Sequence, residues 1–289
     1  MEYVLEAKGV RKTYPGFVLK DVTLRVPKGY IMGLIGPNGA GKTTLIKLIM
    51  NLTHKDAGQI TLFGLDHCAR EARVKSRVGF VYESPAYYDY LSLGAYRSIV
   101  ASFYPTWDES CFRQLVGEFD LPLGQRIKRL SRGMKMKYSL ALALSHAADL
   151  IIMDEPTSGL DPVFRRTLLE KLSELLQDAG KSILFSTHIT SDLEHIADFI
   201  TFISNGEIAF SQAKDDILEN WAIVKGGNDL LTQDAKGLFH GYRRGRFGFE
   251  ALTSDLGQAR KRFAQSNVVI EKASLEDIMY HLVEGKQDD

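Results

Sequence analysis

Between Gly36 and Thr43 the chain reads Gly-Pro-Asn-Gly-Ala-Gly-Lys-Thr, and little else in the sequence constrains the fold as tightly. Glycines at Gly36, Gly39 and Gly41 and a proline at Pro37 exclude the interior of a helix or a strand. The run follows an apolar segment, Tyr30-Ile31-Met32-Gly33-Leu34-Ile35, with the character of a buried strand. It leads into Thr44-Leu45-Ile46-Lys47-Leu48-Ile49-Met50, which opens as a helix. Strand, glycine-rich loop, Lys-Thr and helix together turn the spacing G-x-x-x-x-G-K-T into a phosphate site. Glycines let the loop wrap with its backbone N–H groups pointing inward, and the helix N-terminus adds unpaired donors and partial positive charge. Lys42 is placed to reach the β- and γ-phosphates, and the Thr43 hydroxyl to hold Mg²⁺. The bland alternative is an ordinary glycine-rich turn; every fixed position of the pattern, Asn38 and Ala40 filling the variable ones, and both flanks speak against it.

The rest of the composition narrows the class. A chain of 289 residues, 45% hydrophobic and 25% charged, fits one large or two ordinary globular domains. Lys plus Arg balances Asp plus Glu at 36 each, which gives no support for a protein that coats nucleic acid. Cys68 and Cys111 are too few for a disulfide framework and are expected as reduced thiols. The N-terminal residues carry no basic leader, and no run approaches the roughly 20 apolar residues of a membrane span. Work at a membrane therefore calls for a partner, met from the cytoplasmic side.

Residues 2–27 are expected to open antiparallel, with strands at Tyr3–Ala7 and Val18–Val26 around the turn Tyr14-Pro15-Gly16-Phe17. Short strands follow at Gln59–Phe63 and Val78–Tyr82, the second ending at Glu83. From about 84 to 148 the strand signals stop and apolar positions recur at helical spacing, as in Met134, Tyr138, Ala141, Leu142 and Ser145. The β/α alternation resumes with the apolar run Leu150–Met153. Asp161-Pro162 caps a helix whose leucines 168, 169, 172, 175 and 176 share a face and which Gly180 stops. Ser182–Ser186 is the next strand, and a hairpin at Phe199–Ser211 turns on Asn205-Gly206. Beyond Ala213 the character changes: strands at Trp221–Val224 and Gly245–Ala251, helices at Ser254–Gln265 and Ser274–Val283, and a basic tip, Arg243-Arg244-Gly245-Arg246.

A phosphate-bound Mg²⁺ needs a carboxylate, and a water attacking phosphorus needs orienting. Asp154-Glu155, at the end of the run 150–153, can supply both. Alone such a pair is no more than strand-end charge. Here Pro156-Thr157-Ser158-Gly159-Leu160-Asp161 follows it and Leu130-Ser131-Arg132-Gly133-Met134 precedes it. In that order the chain resembles the nucleotide-binding subunit of an ATP-binding cassette (ABC) transporter, of bacterial exporter type, over about residues 3–212. Gly36–Thr44 resembles the Walker A loop, Leu130–Met134 the cassette signature, Leu150–Glu155 Walker B with its catalytic glutamate, and Ser158–Asp161 the D-loop. His188 stands where a switch histidine belongs, and Tyr14 where an aromatic ring stacks on adenine.

The resemblance implies an α/β fold: a P-loop NTPase core with an N-terminal antiparallel β subdomain, a helical insert, and a small mixed α/β accessory domain, divided 1–213 and 214–289. It implies ATP and Mg²⁺ as ligands, with Lys42, Glu155 and His188 catalytic, Thr43, Asp154 and Glu83 at the metal, and Asp161 among the nucleotide-site residues. Ser131 and Gly133 would reach the ATP of a second subunit, because such cassettes pair head to tail. A homodimer is the first expectation and a heterodimer stays open. The other implied partner is an integral-membrane transporter subunit, which places the chain in the cytoplasm, peripheral on the inner face of the membrane, with no nucleic acid. Residues 84–92, rich in tyrosine, would meet that subunit or else fill the insert's core. Two departures stand out: Glu83 where the family has glutamine, and Arg132 and Met134 where it has glycine and glutamine. The remaining six histidines default to structural or surface roles. The competing function is a soluble ABC-type ATPase with no membrane partner; such machines carry coiled-coil or zinc inserts, or two cassettes in one chain, and none is seen here.

Overall fold

The computed structural model of the chain describes residues 1–83, 87–176 and 180–285. Ser84, Pro85 and Ala86 of the tyrosine-rich segment, and the stretch just before Gly180, lie outside the described residues. The antiparallel start is a long hairpin, β1 (Tyr3–Tyr14) and β2 (Phe17–Pro27), whose strands pair from Tyr3↔Pro27 to Tyr14↔Phe17. Then come β3 (Ile31–Ile35), α1 (Lys42–Ile49), β4 (Ala57–Leu62), the short β5 (Leu65–Asp66), α2 (Glu71–Lys75) and β6 (Val78–Val81). The helical insert holds α3 (Leu93–Ala101), α4 (Glu109–Glu118) and α5 (Arg132–Leu144). After it run β7 (Leu150–Asp154), α6 (Pro162–Leu175), β8 (Ser182–Thr187), α7 (Thr190–Ile196) and the hairpin β9 (Phe199–Ser204) and β10 (Glu207–Ala213). The described part of α6 ends at Leu175, ahead of Gly180, and Asp161 caps its start by accepting from the Phe164 N–H at 2.9 Å.

Three sheets result. One has the order β2-β1-β4-β5, and a second the order β10-β9-β3-β8-β7-β6, parallel except for its edge hairpin. The central strands of the six-stranded sheet are buried on both faces, which is why β3 and β7 read as nearly unbroken apolar runs, whereas the edge strand β10 is partly exposed. Successive side chains alternate between those faces. Met32, Leu34, Leu150, Ile152 and Leu184 pack with α1 and the antiparallel sheet. Ile31, Ile35, Ile151, Met153, Ile183 and Phe185 pack with α5, α6 and α7.

The C-terminal segment has more regular structure than its sequence pattern suggests. It adds α8 (Lys214–Asn220), β11 (Ala222–Gly226), α9 (Gln233–Lys236), β12 (Gly241–Arg244), β13 (Phe249–Thr253), α10 (Leu256–Arg262), β14 (Val268–Lys272) and α11 (Leu275–Glu284). The strands form an antiparallel sheet in the order β12-β13-β11-β14. The expected strand at 245–251 begins later, because Gly245 and Gly248 close the β12–β13 turn through a 2.8 Å backbone hydrogen bond. One face of this sheet builds its own core from Val224, Tyr242, Phe249, Ala251 and Phe263. Ile223 and Leu252 on the other face join Trp221, Leu275 and Ile278 in the large core beneath α7 and β10. The apolar interior thus runs across position 213 without a break.

Candidate active site

Strands β3, β8 and β7 are parallel neighbours, and their pairing aligns Ile35 with Thr187 and Asp154 with Ser186. Their carboxyl ends therefore finish at one sheet edge, where ligands of open α/β sheets bind. The residues that follow are the Gly36–Gly41 loop, His188 and Glu155. The loop curls because Gly39 and Gly41 adopt φ of 79° and 112°. A Cβ on Gly41 would come within 2.9 Å of the Phe17 ring, and one on Gly36 within 2.1 Å of the Ile203 carbonyl oxygen. α1 begins with Gly41 as its N-cap, with no side-chain cap and no acidic residue in its first turn. Its first N–H groups and the positive end of its dipole are left for an anion. Residues 37–44 line a cleft of about 680 Å³ that also takes in Glu83, Arg132, Glu155, Ser158 and His188.

Lys42 is 5% exposed. Its Nζ donates to the carbonyls of Gly36 at 2.7 Å and Pro37 at 3.2 Å and lies 3.3 Å from Glu155 Oε1. The other oxygen, Oε2, is 2.8 Å from His188 Nδ1. Glu155 is thus gripped from two sides at the mouth of the loop. It holds a left-handed φ of 50°, and its N–H donates to the Ser186 hydroxyl at 3.1 Å.

Asp154 is fully buried. Its Oδ1 accepts from the Ser186 hydroxyl at 2.6 Å, while Oδ2 is buried with no hydrogen-bond partner. Burial pushes its carboxyl above the ordinary range; the hydrogen bond from Ser186 and the nearby Thr43 hydroxyl oppose that, and the charge of Glu83 adds to it. A buried carboxylate oxygen without a donor, beside the Thr43 hydroxyl, fits a hard divalent cation with oxygen ligands.

Other expected residues sit as follows. Thr44 lines the cleft. Gly16 and Phe17 form its wall near the hairpin turn. Tyr14 is not part of that wall; it pairs with Phe17 across the turn, 37% exposed, with its hydroxyl 3.4 Å from Thr53. Ser131 is the N-cap of α5 and accepts from the Met134 N–H at 3.2 Å, and Gly133 lies in the same first turn. Glu83 accepts from Arg132 at 3.2 Å. Asp161 spends its carboxylate on capping α6. Sequence reasoning misses Ser186, whose hydroxyl supports both the Asp154 carboxylate and the Glu155 backbone N–H; only the β7–β8 register brings it there. It also misses Asp192, 1% exposed, which accepts from Thr157 at 2.7 Å and from Arg165 at 2.6 Å and so anchors the loop after Glu155.

The family model described as ABC transporter matches residues 19–158. The chain is 35% identical over 215 residues to a lantibiotic transport ATP-binding protein, SrtF, of Streptococcus pyogenes, covering 73% of this chain and 92% of that one. It is 34% identical over 211 residues to the bacitracin transport ATP-binding protein BcrA of Enterococcus faecalis, covering 72% of this chain and 68% of the relative. Among solved structures it is similar to an ATP binding subunit of an ABC transporter, with a TM-score of 0.69, 32% identity, and coverage of 75% of this chain and 92% of the other.

Proposed function

The chain belongs to the ABC transporter family as an ATP-binding, ATP-hydrolysing subunit, and from that membership we propose that it pairs with a second nucleotide-binding subunit to drive export by an integral-membrane partner. The observation that carries this reading is the placement of Glu155 between Lys42 and His188 at the mouth of the phosphate loop. A carboxylate so held is a fixed base for a water attacking the γ-phosphorus. His188, 2.8 Å from Glu155, orients it and reports on the phosphate. Lys42 leaves its loop carbonyls and Glu155 for the incoming phosphates, and Tyr14 stacks on adenine beside Phe17. Thr43 and Asp154 would hold Mg²⁺, whose charge would neutralise the phosphate oxygens. Glu83, a further ligand candidate, is engaged by Arg132. Ser131 and Gly133 at the start of α5 meet the nucleotide of the second subunit, so each active site draws on two chains. No helix among the described residues is long and apolar enough to cross a membrane, which supports a separate membrane subunit, approached from the inner face of the membrane. The transport names of SrtF and BcrA support the same role.

Glu155→Gln is expected to bind ATP and to hydrolyse it about 10²- to 10³-fold more slowly, the usual loss for one preorganised catalytic group. Steady-state phosphate release at the unmutated rate would sink the assignment. Lys42→Ala is expected to weaken nucleotide binding itself. Co-purification of the tagged full chain with a hydrophobic membrane protein supports the transporter reading. Isolation without one, together with salt-sensitive nucleic-acid binding, would favour a soluble cassette machine.

A further inference from the structure

Arg132 occupies a position that does nothing for its own helix. It is the first residue of α5, where the helix dipole disfavours a cation. No acidic residue in that first turn offsets it. Its guanidinium turns into the cleft of its own chain instead. Nη2 donates to Glu83 Oε1 at 3.2 Å and lies 3.4 Å from the Ser158 hydroxyl. Its side chain passes over Gly159, where a Cβ would meet it at 3.7 Å. One side chain thus ties together the end of β6, the start of α5 and the loop after Glu155. Glu83 in turn lines the cleft with Glu155, its negative charge acts on the buried Asp154, and Arg132 opposes that charge there. Arg132 is 59% and Glu83 40% exposed along the side chain, so the pair is screened by water and weak. A guanidinium presents five donors, of which Glu83 and Ser158 engage one nitrogen. Such a group exchanges readily for a phosphate, which it can grip with two parallel hydrogen bonds.

Resting on the ATP-driven pairing proposed above, we propose that Arg132 and Glu83 form a latch within one subunit that must open for two subunits to close on nucleotide. In the free subunit Glu83 keeps Arg132 turned inward. On closure Arg132 releases Glu83 and turns to the phosphates bound by the second subunit. Arg132 is then a positioning residue for closure, and Glu83 the anion that competes for it. The assignment gives opposite signs to two substitutions that break the same ion pair. Removing Glu83's charge frees Arg132 and favours closure, whereas removing Arg132's charge abolishes the pair and the phosphate contact together.

The test is dimer formation by the full chain, followed by sedimentation across a range of ATP concentrations with Mg²⁺, with every protein carrying Glu155→Gln to slow turnover. Glu83→Gln is expected to lower the ATP concentration at half-dimerisation by about 2- to 5-fold, the range exposed ion pairs span. Arg132→Gln is expected to raise it by a similar factor. Arg132→Lys, which keeps the charge, should restore most of the loss, and the double variant Glu83→Gln/Arg132→Gln should match Arg132→Gln alone. Unfolding temperatures without nucleotide should stay together, because both side chains are exposed. The latch is overturned if both single substitutions move dimerisation the same way, if neither moves it, or if Glu83→Gln weakens it, as a cation ligand would. Absence of ATP-dependent dimers in every protein, the Glu155→Gln reference included, would overturn pairing between two copies of this chain, and the latch with it.

Discussion

Glu155 is a residue whose backbone alone is unfavourable. A φ of 50° costs a non-glycine residue about 1–2 kcal/mol, and it persists because Ser186, Lys42 and His188 over-determine the position. One residue earlier, Asp154 stores a second unfavourable term, a buried carboxylate with one oxygen unpaired. Burial raises its pKa above 3.8, so in the nucleotide-free fold the ionised form is disfavoured, and stability from this group grows as pH falls through that raised value. A bound cation reverses the preference. Asp154→Asn is therefore expected to leave the nucleotide-free unfolding temperature at pH 7 unchanged or higher, and to remove the extra stabilisation that Mg²⁺ adds to ATP. Ligand at 100 times its dissociation constant adds about 2.7 kcal/mol, so the loss is readily seen by thermal unfolding. An undiminished Mg²⁺ increment would remove Asp154 from the metal site. Asp154 and Glu155 are legible in the sequence because their meaning is local: charge at the end of an apolar run. Ser186 is not, since it reaches them only through the pairing of two strands 32 residues apart. The Arg132–Glu83 contact is hidden for the same reason, at a separation of 49 residues.

Among the elements, α5 joins the cleft to the insert's core. Its first turn carries Ser131, Arg132 and Gly133, while Met136, Tyr138, Leu140 and Ala141 are buried. The buried Tyr138 donates its hydroxyl to the Leu93 carbonyl at 2.7 Å, pinning α3 to α5. Just beyond its C-terminus His146 is 2% exposed, lies with its ring centroid 3.9 Å from that of Tyr104, and has its Nδ1 buried without a partner. Burial lowers its pKa from 6.5 to about 4. The unfolded chain then binds the proton more readily, so the stabilisation is complete above pH 6.5 and is lost as pH falls toward 4. The full effect is roughly 3 kcal/mol. His146→Gln is expected to flatten the decline of stability over that window, measured by urea unfolding at several pH values without nucleotide. Equal slopes in the two proteins would refute it; Asp154 titrates in both and so cancels. This insert reads clearly as helical because its periodicity is repeated over several turns. By contrast α8, β12 and β14 are not legible: β12 spans only Gly241–Arg244 with two exposed arginines, and β14 is an edge strand with no fully buried residue. The strand state of β12 and β14 comes from the neighbours that pair with them.

At the scale of the whole molecule, the sequence places a boundary near Ala213, where the cassette pattern ends, and hydrophobic packing ignores it. Phe210 of β10 lies against Trp221, with ring centroids 4.9 Å apart, and Trp221 is 3% exposed. Leu275 at the start of α11 donates its N–H to Glu194 of α7 at 3.0 Å, so the last helix is fastened to the helix that follows His188. Composition changes at such a junction because the C-terminal sheet has a core of its own on one face; its other face is interior to the cassette, and only the fold reveals that. Two independent domains would unfold in two steps, with the first leaving nucleotide binding intact. A shared core predicts one cooperative transition by calorimetry, ending nucleotide binding and C-terminal structure together. Trp221→Ala sharpens the choice. Deleting a buried tryptophan side chain costs about 3–5 kcal/mol. With a shared core that loss lowers the unfolding temperature of the nucleotide site, read by ATP binding during heating, although Trp221 does not line the cleft. If ATP binding in Trp221→Ala survives to the unmutated temperature while the C-terminal sheet melts early, the segment beyond Ala213 is a separate domain, and the contacts of Trp221 and Leu275 are a docking surface between the two.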